Sequence, residues 1–330
     1  MSSVVRGIAA LLFLAVSACV DDAPAISELD SPITSATRLL VFAPHPDDET
    51  LGAAGLIRRV REAAGAVRVV LMTSGDAFAE SRQSTEPDAS DHRRNGIVRE
   101  RESVAAMARL GVDEANVVKL GFPDMGLCLL ASTYLTTAGA FESPYTDRER
   151  PPPSEQLIPG AKYRGIDVRR ELERVIAEFK PTLVAMPHAR DEHPDHCATE
   201  IFAARALELI ERQQHTKPQV LHYLVHYADW PLSRDAGTGL DLNPPANFPA
   251  GGAWRSLPLR EGDVDLKRQA LAEYATQVRT MGGFLEAFIR RNELFVDDGA
   301  AAAPECWCDE KTVATTLPAA SYRHRPKPRQ

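Results

Sequence analysis

Between residues 37 and 230, short apolar runs alternate with segments of helical composition. Runs typical of buried strands occupy residues 38–43, 67–73, 116–120, 182–186 and 219–227. Helices are predicted between them at about 50–64, 95–110, 168–179 and 198–213. Strands separated by helices need crossover connections, which place parallel strands in one sheet with helices on both of its faces. The sequence therefore predicts an α/β fold with a doubly wound, mostly parallel sheet.

The first 19 residues have the layout of a secretory signal peptide. An early cation precedes an apolar run at 8–16, which is too short to span a bilayer as a permanent helix. The run leads into the residues VSAC, which resemble the lipobox of bacterial lipoproteins and end in Cys19. We therefore predict an exported protein whose contact with a membrane is a lipid on Cys19. An ordinary cleaved signal with a chance cysteine is the alternative.

This interpretation divides the chain into four segments. Residues 1–19 are the signal, 20–37 a polar tether, 38–296 the folded domain, and 297–330 a partly disordered tail. The tail ends in a basic cluster, but the formal net charge of the whole chain is −8. Because phosphate binding needs clustered Lys and Arg, this balance argues against a nucleic-acid partner.

Four cysteines follow the predicted signal. Outside the cytoplasm disulfides persist, so an even number permits one or two bridges. The spacing leaves the pairing open among Cys128, Cys197, Cys306 and Cys308.

The reactive side chains are concentrated at the ends of two predicted strands. APHPDDE at 43–49 follows the first strand, and MPHARDEHPDH at 186–196 follows the fourth. In an open parallel sheet, ligands bind outside the carboxyl ends of the strands, near the point where the strand order reverses. Adjacent carboxylates repel each other, and a divalent cation is the simplest partner that makes their crowding favourable.

A catalytic zinc usually has three protein ligands and one open position for water. His45 and Asp48 are three residues apart and can face one point, and His196 is the candidate third ligand. This choice leaves Asp47 as a general base toward metal-activated water and His193 as an acid or oxyanion stabiliser. The carboxylates predicted to orient the neighbouring histidines are Asp191 and Asp195.

The two motifs resemble those of the LmbE/PIG-L family of zinc-dependent de-N-acetylases, which remove acetyl groups from N-acetylglucosamine units. The similarity covers roughly residues 38–296. It includes an RxxE…A…LG helix at 99–111, LGFPDMG at 120–126, KRQALAEYATQ at 267–277 and NELF at 292–295. The resemblance implies a Rossmann-like α/β fold, one Zn²⁺ per chain, and hydrolysis of the N-acetyl or N-acyl group of an N-acetylglucosamine-type sugar or conjugate.

By position, the resemblance implies the same ligands and base as above, with His193 as a protonated imidazole that faces the tetrahedral intermediate. It adds Arg99 and Asp124 as residues that hold sugar hydroxyls or linked groups. Some members carry a Tyr two residues before the first His of HPDH, where it helps to stabilise the oxyanion; this chain has Asp191 at that position. An ionised carboxylate cannot donate a hydrogen bond to an oxyanion, so we expect Asp191 to orient His193 or His196. The insertion at 127–165 is expected to make the substrate mouth differ from that of compact members.

Each assignment has a simpler structural alternative. Asp47 and Asp48 could cap the following helix, and Arg99 could pair with Glu102 one turn away. Asp124 could be a turn residue, and the HPDH histidines could be surface residues at a helix start. No role is assigned to the remaining histidines, which are His92, His188, His215, His222, His226 and His324.

The sequence leaves two other functions open. An amidase acting on a non-sugar N-acyl conjugate would use the same residues. A non-catalytic carbohydrate-binding lipoprotein would have no need for Asp47, and we would expect it to have more aromatic residues than the 6% found here.

Overall fold

The computed structural model describes residues 26–78, 87–136, 138–215, 217–231, 239–248, 253–297 and 308. Its strands are β1 Ile26–Glu28, β2 Arg38–Ala43, β3 Ala66–Thr73, β4 Val117–Phe122, β5 Leu183–Pro187, β6 Gln219–Tyr223, β7 Ala253–Pro258 and β8 Asn292–Asp297. Its helices are α1 Asp48–Glu62, α2 Ala89–Arg109, α3 Leu127–Ala131, α4 Gly165–Phe179, α5 Pro194–Gln214, α6 Glu261–Ala272 and α7 Ala275–Glu286. Short 3₁₀ helices occupy Glu114–Asn116 and Pro153–Glu155.

The described strands form one sheet in the order β1-β7-β8-β6-β5-β2-β3-β4. Strand β8 is antiparallel to both of its neighbours, and the remaining pairs are parallel. From β2 the chain moves outward through β3 and β4, then returns to β5 on the other side of β2. The strand order therefore reverses between β2 and β5, which are the two strands that precede the His and Asp motifs. The predicted doubly wound, mostly parallel α/β fold is confirmed.

Both faces of the sheet are covered, as the apolar strands require. Successive side chains of β2 point in opposite directions, so Leu39 and Val41 enter one core while Leu40 and Phe42 enter the other. The first core contains side chains from α1, α2, α6 and α7, and the second contains side chains from α3, α4 and α5.

Several element boundaries differ from the sequence prediction. Strand β6 ends at Tyr223 rather than at 227, because the amides of Val225 and His226 donate to the Asp191 carboxylate instead of a neighbouring strand. The KRQALAEYATQ segment at 267–277, which resembles one C-terminal helix of the family, is divided between two helices, α6 and α7. Strand β7 was missed. In the 127–165 insertion, helix α3 opens the segment and Pro153–Glu155 forms a 3₁₀ helix, with no strand among its described residues.

The folded part begins before residue 38. Residues Ile26–Glu28, inside the segment predicted as a tether, form edge strand β1, which pairs in parallel with β7. The predicted signal, with Cys19, lies outside the described residues, as does the predicted tail except for residues 297 and 308. No helix among the described residues is long and apolar enough to cross a membrane.

One disulfide joins helix α3 to the C-terminal segment. Of the pairings that the sequence leaves open, the structure has Cys128 bonded to Cys308, which are 180 residues apart in sequence. Cys197, which follows His196 in α5, is also disulfide-bonded. The C-terminal segment is therefore bonded covalently to the helix that follows β4.

Helix α1 is interrupted at Ala53, where φ is −144° and ψ is 15°. A buried ion pair supplies hydrogen bonds at this break. Lys267 Nζ donates to the Leu51 carbonyl oxygen and to Glu293 Oε1, both at 2.8 Å. The Glu293 carboxylate accepts from the amides of residues 55 and 56, at 2.8 and 3.0 Å. The pair from α6 and β8 thus holds the helix that follows the first motif.

Removing one member of this pair should destabilise the fold strongly, since the other charge stays buried without its partner. We expect Lys267→Met to lower the free energy of unfolding by about 3–5 kcal/mol in urea titrations. The double variant Lys267→Met/Glu293→Gln should lose less than Lys267→Met alone. The control is Arg268→Met, which removes a solvent-exposed ion pair with Asp265 and should change stability by less than about 1 kcal/mol. Equal stability of Lys267→Met and Arg268→Met would contradict this role.

Candidate active site

The loop between β2 and α1 is held in an unusual backbone conformation. Asp47, at the N-cap position of α1, has φ 133° and ψ −31°. Residues other than glycine rarely adopt positive φ, and such residues persist only where their surroundings hold them. The Asp47 side chain makes no capping hydrogen bond, so the helix-cap alternative does not describe this residue.

Arg99 of α2 holds this loop in place. Its guanidinium donates to the carbonyl oxygens of Gly75, at 2.7 Å, and Pro46, at 3.0 Å. It also lies 3.2 Å from Asp47 Oδ2. The alternative pair with Glu102 is not formed, since Glu102 accepts from the amide and hydroxyl of Thr276. Arg99, predicted to bind substrate, lines the cavity described below, but its hydrogen bonds are with the loop that carries Asp47 and with Gly75 after β3.

The three predicted metal ligands meet at the Asp48 carboxylate. Asp48 Oδ2 lies 3.1 Å from His45 Nδ1 and 3.1 Å from His196 Nε2. Asp48 also accepts from the His45 amide at 2.9 Å. The side chains of the loop after β2 and of the first turn of α5 therefore converge at the point where the strand order reverses.

This group of side chains has the properties of a cation site. Both ring nitrogens of His196 are buried, and neither makes a hydrogen bond of suitable geometry among the described residues. A carboxylate between two imidazoles is a donor set that divalent zinc-type cations accept. His193 and His226 add donors nearby: ligand atoms lie within 4.8 Å of one another in the sets His45–His193–His196 and Asp48–His196–His226. The residues present thus fit a divalent cation.

The charges of these residues are strongly coupled. Burial raises the pKa of Asp48, but His196 and His45 outweigh it and hold that pKa well below its usual value. Burial lowers the pKa of His196, but Asp191 and Asp48 outweigh it and raise that pKa to about 9. Protonated histidines therefore neutralise the carboxylates when no cation is bound.

Two buried aspartates of the second motif connect neighbouring loops to the histidines. Asp191 lies 3.2 Å from His196 Nδ1 and accepts from the amides of residues 225 and 226 beyond β6. Asp195 lies 3.3 Å from His45 Nε2 and accepts from the amides of residues 125 and 127, between β4 and α3. Asp191 thus contacts the predicted ligand His196, and Asp195 contacts the predicted ligand His45.

Asp124 belongs to the same network. Asp124 lies in the turn that follows β4, in agreement with the alternative that it is a turn residue. Its carboxylate accepts a hydrogen bond from the Ala77 amide at 2.8 Å. Its Oδ1 also lies 3.2 Å from His45 Nε2. Burial raises the pKa of Asp124, but His45 and Arg99 outweigh it and lower that pKa, so the group is ionised. The Asp124 carboxylate, which was predicted to bind sugar hydroxyls, is therefore in contact with the His45 ring.

His193 is the N-cap residue of α5, and its ring tautomer follows from its contacts. Its Nδ1 accepts from the Asp195 amide at 3.2 Å, so the proton of the neutral ring is on Nε2. Burial and the neighbouring histidines His45, His196 and His226 hold the pKa of His193 well below its usual value. The ring is therefore a neutral donor rather than an imidazolium.

A cavity of about 300 Å³ lies beside these residues. The predicted residues that line it are His45, Asp47, Asp48, Arg99, Asp124 and His193. A more open surface cleft of about 720 Å³, near Trp230 and Arg291, contains none of them. The smaller cavity is the candidate substrate site, because it alone of the two adjoins the ionisable cluster. The 127–165 insertion contributes Tyr145 to its lining.

The prediction missed His226, which was assigned no role. Its ring centroid lies 4.8 Å from that of His196 and 5.3 Å from that of His193, and it lines the same cavity. Burial lowers the pKa of His226 to about 4. Placing the end of β6 at residue 227 put this histidine inside a strand; a strand ending at Tyr223 would have placed it at the functional edge of the sheet.

Cation binding should compete with protons at His196. Its folded pKa of about 9 exceeds the ordinary 6.5, so its contribution to metal-free stability is complete below about pH 6.5 and is lost as the pH rises through about 9. Cations bind the unprotonated ring, so the apparent affinity for Zn²⁺ should increase from pH 6 to pH 9. Competition titrations with a chromophoric chelator measure this change.

The matched variants for this titration are His196→Asn and His215→Asn. His196→Asn should weaken Zn²⁺ binding at every pH. His215 caps the far end of α5 with φ 55°, a conformation that Asn tolerates, so its replacement should leave the titration unchanged. An affinity that is constant between pH 6 and pH 9 would refute proton competition at this site.

The chain is similar to known proteins over the part that carries both motifs. The family described as "PIG-L: GlcNAc-PI de-N-acetylase" matches residues 40–207. Two curated relatives, from Mycobacterium sp. strains KMS and JLS, are each named 1D-myo-inositol 2-acetamido-2-deoxy-alpha-D-glucopyranoside deacetylase. Each is 30% identical over 201 residues, and the alignment covers 59% of this chain and 59% of the relative's length.

The fold is also found among solved structures. The conserved protein TT1542 from Thermus thermophilus superposes with a TM-score of 0.50 at 20% sequence identity, covering 82% of this chain and 96% of its own. That likeness supports the fold. The match at 40–207 spans half of the chain and includes His45, Asp48 and His196, and the chain therefore belongs to the PIG-L family of de-N-acetylases.

Proposed function

We propose that this protein is a zinc-dependent hydrolase that removes the N-acetyl, or another N-acyl, group from a glucosamine-type sugar or conjugate. The observation that carries the proposal is the position of Asp47. Its carboxylate lines a cavity next to the convergent donors His45, Asp48 and His196, and Arg99 holds it there. A binding protein has no use for a carboxylate kept in so unfavourable a backbone conformation. Membership of the PIG-L family supports the reaction class.

The proposed cation is held by His45, Asp48 and His196. When bound, it supplies Lewis-acid polarisation of the amide carbonyl and makes water easier to deprotonate. Asp191, behind His196, and Asp195, behind His45, keep the two rings oriented.

Asp47 acts as the general base. Burial raises its pKa to about 7, even though Arg99 lowers it. A carboxylate with a pKa near the operating pH is an effective proton acceptor. Asp47 takes a proton from the attacking water, the water oxygen bonds to the carbonyl carbon, and the same proton is then given to the leaving nitrogen as the C–N bond breaks. The amine thus departs neutral, and Asp47 returns to its ionised form.

His193 stabilises the oxyanion. Because its Nδ1 accepts a backbone hydrogen bond, the Nε2–H group is the donor available to the developing negative charge. Because its pKa is well below the usual value, the ring is mostly unprotonated, so we assign it this donor role in place of the protonated imidazole that the family resemblance implies. We assign the proton delivery to Asp47.

Substitutions of the two adjacent aspartates should have different effects on zinc content and on activity. Asp47→Asn should retain stoichiometric zinc and lose roughly 10²–10⁴-fold in kcat, whereas Asp48→Asn should lose zinc as well. The measurements are metal analysis and acetate release from a panel of N-acetylated sugars and conjugates. The wild-type rate should fall as the pH drops below about 7, because Asp47 becomes protonated. The exposed Asp265→Asn is the control.

Two outcomes would contradict these assignments. Loss of zinc in Asp47→Asn with retention in Asp48→Asn would mean that the roles are reversed. Full activity of Asp47→Asn on a substrate that the wild type hydrolyses would exclude Asp47 as the base.

We also propose that the chain is exported and lipidated at Cys19. The signal-like start supports this, and so does the Cys128–Cys308 disulfide, since such bonds persist in oxidising compartments. The wild type should partition into detergent during phase separation, and Cys19→Ser should remain in the aqueous phase. Cys308→Ser keeps the anchor and should partition like the wild type. Equal partitioning of Cys19→Ser and the wild type would refute lipidation.

A further inference from the structure

We propose that the cavity binds an apolar group of the substrate, an alkyl chain or aromatic ring, against a wall formed by Leu51, Met281 and Phe284. We call these three side chains the α7 wall, because two of them belong to α7. The inference rests on the proposed function and specifies its substrate class: an amino sugar that carries an apolar substituent, either as its acyl chain or at its glycosidic position.

The α7 wall adjoins the reacting residues. All three side chains line the same cavity as Asp47 and His193. Leu51 is on α1, directly after the first motif, and is buried, whereas Met281 and Phe284 are half-buried. A substrate whose amide lies at the candidate metal site therefore has an apolar surface within the same cavity.

The wall is supported from behind by stacked rings. The Phe284 ring is parallel to that of His226, with centroids 5.4 Å apart and an interplanar angle of 5°. On another side it meets Phe288 edge-on at 5.3 Å, and Phe288 in turn meets Trp230 at 5.7 Å. Phe284 is thus fixed between a histidine of the site and the core, so little ordering is needed when a ligand binds.

The break in α7 occurs at the wall. Met281 has φ −137° and ψ 29°, which is not helical. Gln277 before the break and Leu285 after it are both buried. Both halves of α7 are therefore anchored to the protein, and the break between them carries Met281 toward the cavity instead of along a regular helix.

Two of the polar residues that line the cavity are already engaged in contacts within the protein. Arg99 is bonded to Asp47 and to two carbonyl oxygens, and Asp124 is bonded to His45 and to the Ala77 amide. A site that selected its substrate through many sugar hydroxyls would need unoccupied donors and acceptors there. Burial of an apolar group on the α7 wall is a source of selectivity that does not need them.

The test compares two series of substrates with the zinc-loaded, full-length protein. One series extends the acyl group of glucosamine from acetyl to butanoyl and hexanoyl. The other extends the glycoside of N-acetylglucosamine from methyl to butyl and hexyl. We expect kcat/KM to rise about fourfold for each methylene group buried, in the series whose substituent meets the wall. No rise in either series overturns the inference.

Variants of α7 test whether the rise in kcat/KM with substituent length arises at the α7 wall. Phe284→Ala should reduce the ratio of kcat/KM for the longest to the shortest substrate by about tenfold, and Phe284→Leu should restore much of that ratio. Val278→Ala, on the same helix but 44% exposed, should leave the ratio unchanged. An unchanged ratio in Phe284→Ala would show that the chain binds elsewhere, which also overturns the inference.

A binding measurement separates this inference from the proposed function. Hexyl and methyl β-glucosides contain no amide and are not hydrolysed. Calorimetry should show hexyl glucoside binding at least tenfold tighter than methyl glucoside, with a smaller difference in Phe284→Ala. Tighter binding of hexyl glucoside without hydrolysis of any amide would reject the proposed function alone. Hydrolysis of amides with no preference for hexyl glucoside and no rise in either substrate series would reject the α7 wall alone.

Discussion

The Asp48 carboxylate, shared by His45 and His196, joins the ends of the two strands between which the sheet order reverses. Its Oδ2 lies 3.1 Å from a nitrogen of each ring. Burying three ionisable groups together is costly unless their charges compensate one another. The rest of the site can be understood as the set of contacts that keeps this arrangement in place and makes it usable by a cation.

Buried carboxylates fasten each loop at this edge to its neighbour. Asp191 binds the amides beyond β6, Asp195 binds those beyond β4, and Asp124 binds the Ala77 amide beyond β3. Glu49 does the same for the first motif, accepting from the Asp47 amide and from Tyr274. Each carboxylate satisfies backbone donors that would otherwise be buried without partners. The loops are therefore held by the same charges that surround the candidate cation site.

The cavity is lined by two unlike sets of side chains. One set carries the charges of the two motifs, where Arg99 contacts Asp47 in its left-handed conformation. The other carries Met281 and Phe284 from a broken helix that packs on the core through Leu285. Polarising groups and an apolar surface are the two components expected of a ligand pocket. Here they come from distant parts of the chain.

The sequence by itself determined the alternation of strands and helices, the family, and the two motifs at strand ends. These depend on short-range patterns: apolar period, helix-starting residues and the local spacing of His and Asp. It did not reveal that Arg99 pairs with Asp47 instead of Glu102, that Lys267 and Glu293 support the break in α1, or which cysteines are bonded. Nor did it place His226 at the site or β1 in the sheet. Each of these depends on residues brought together from distant parts of the chain, or on where a strand ends. Only the packing of the elements decides which buried charge or backbone amide meets which partner, because a buried polar group takes the partner that the fold places beside it.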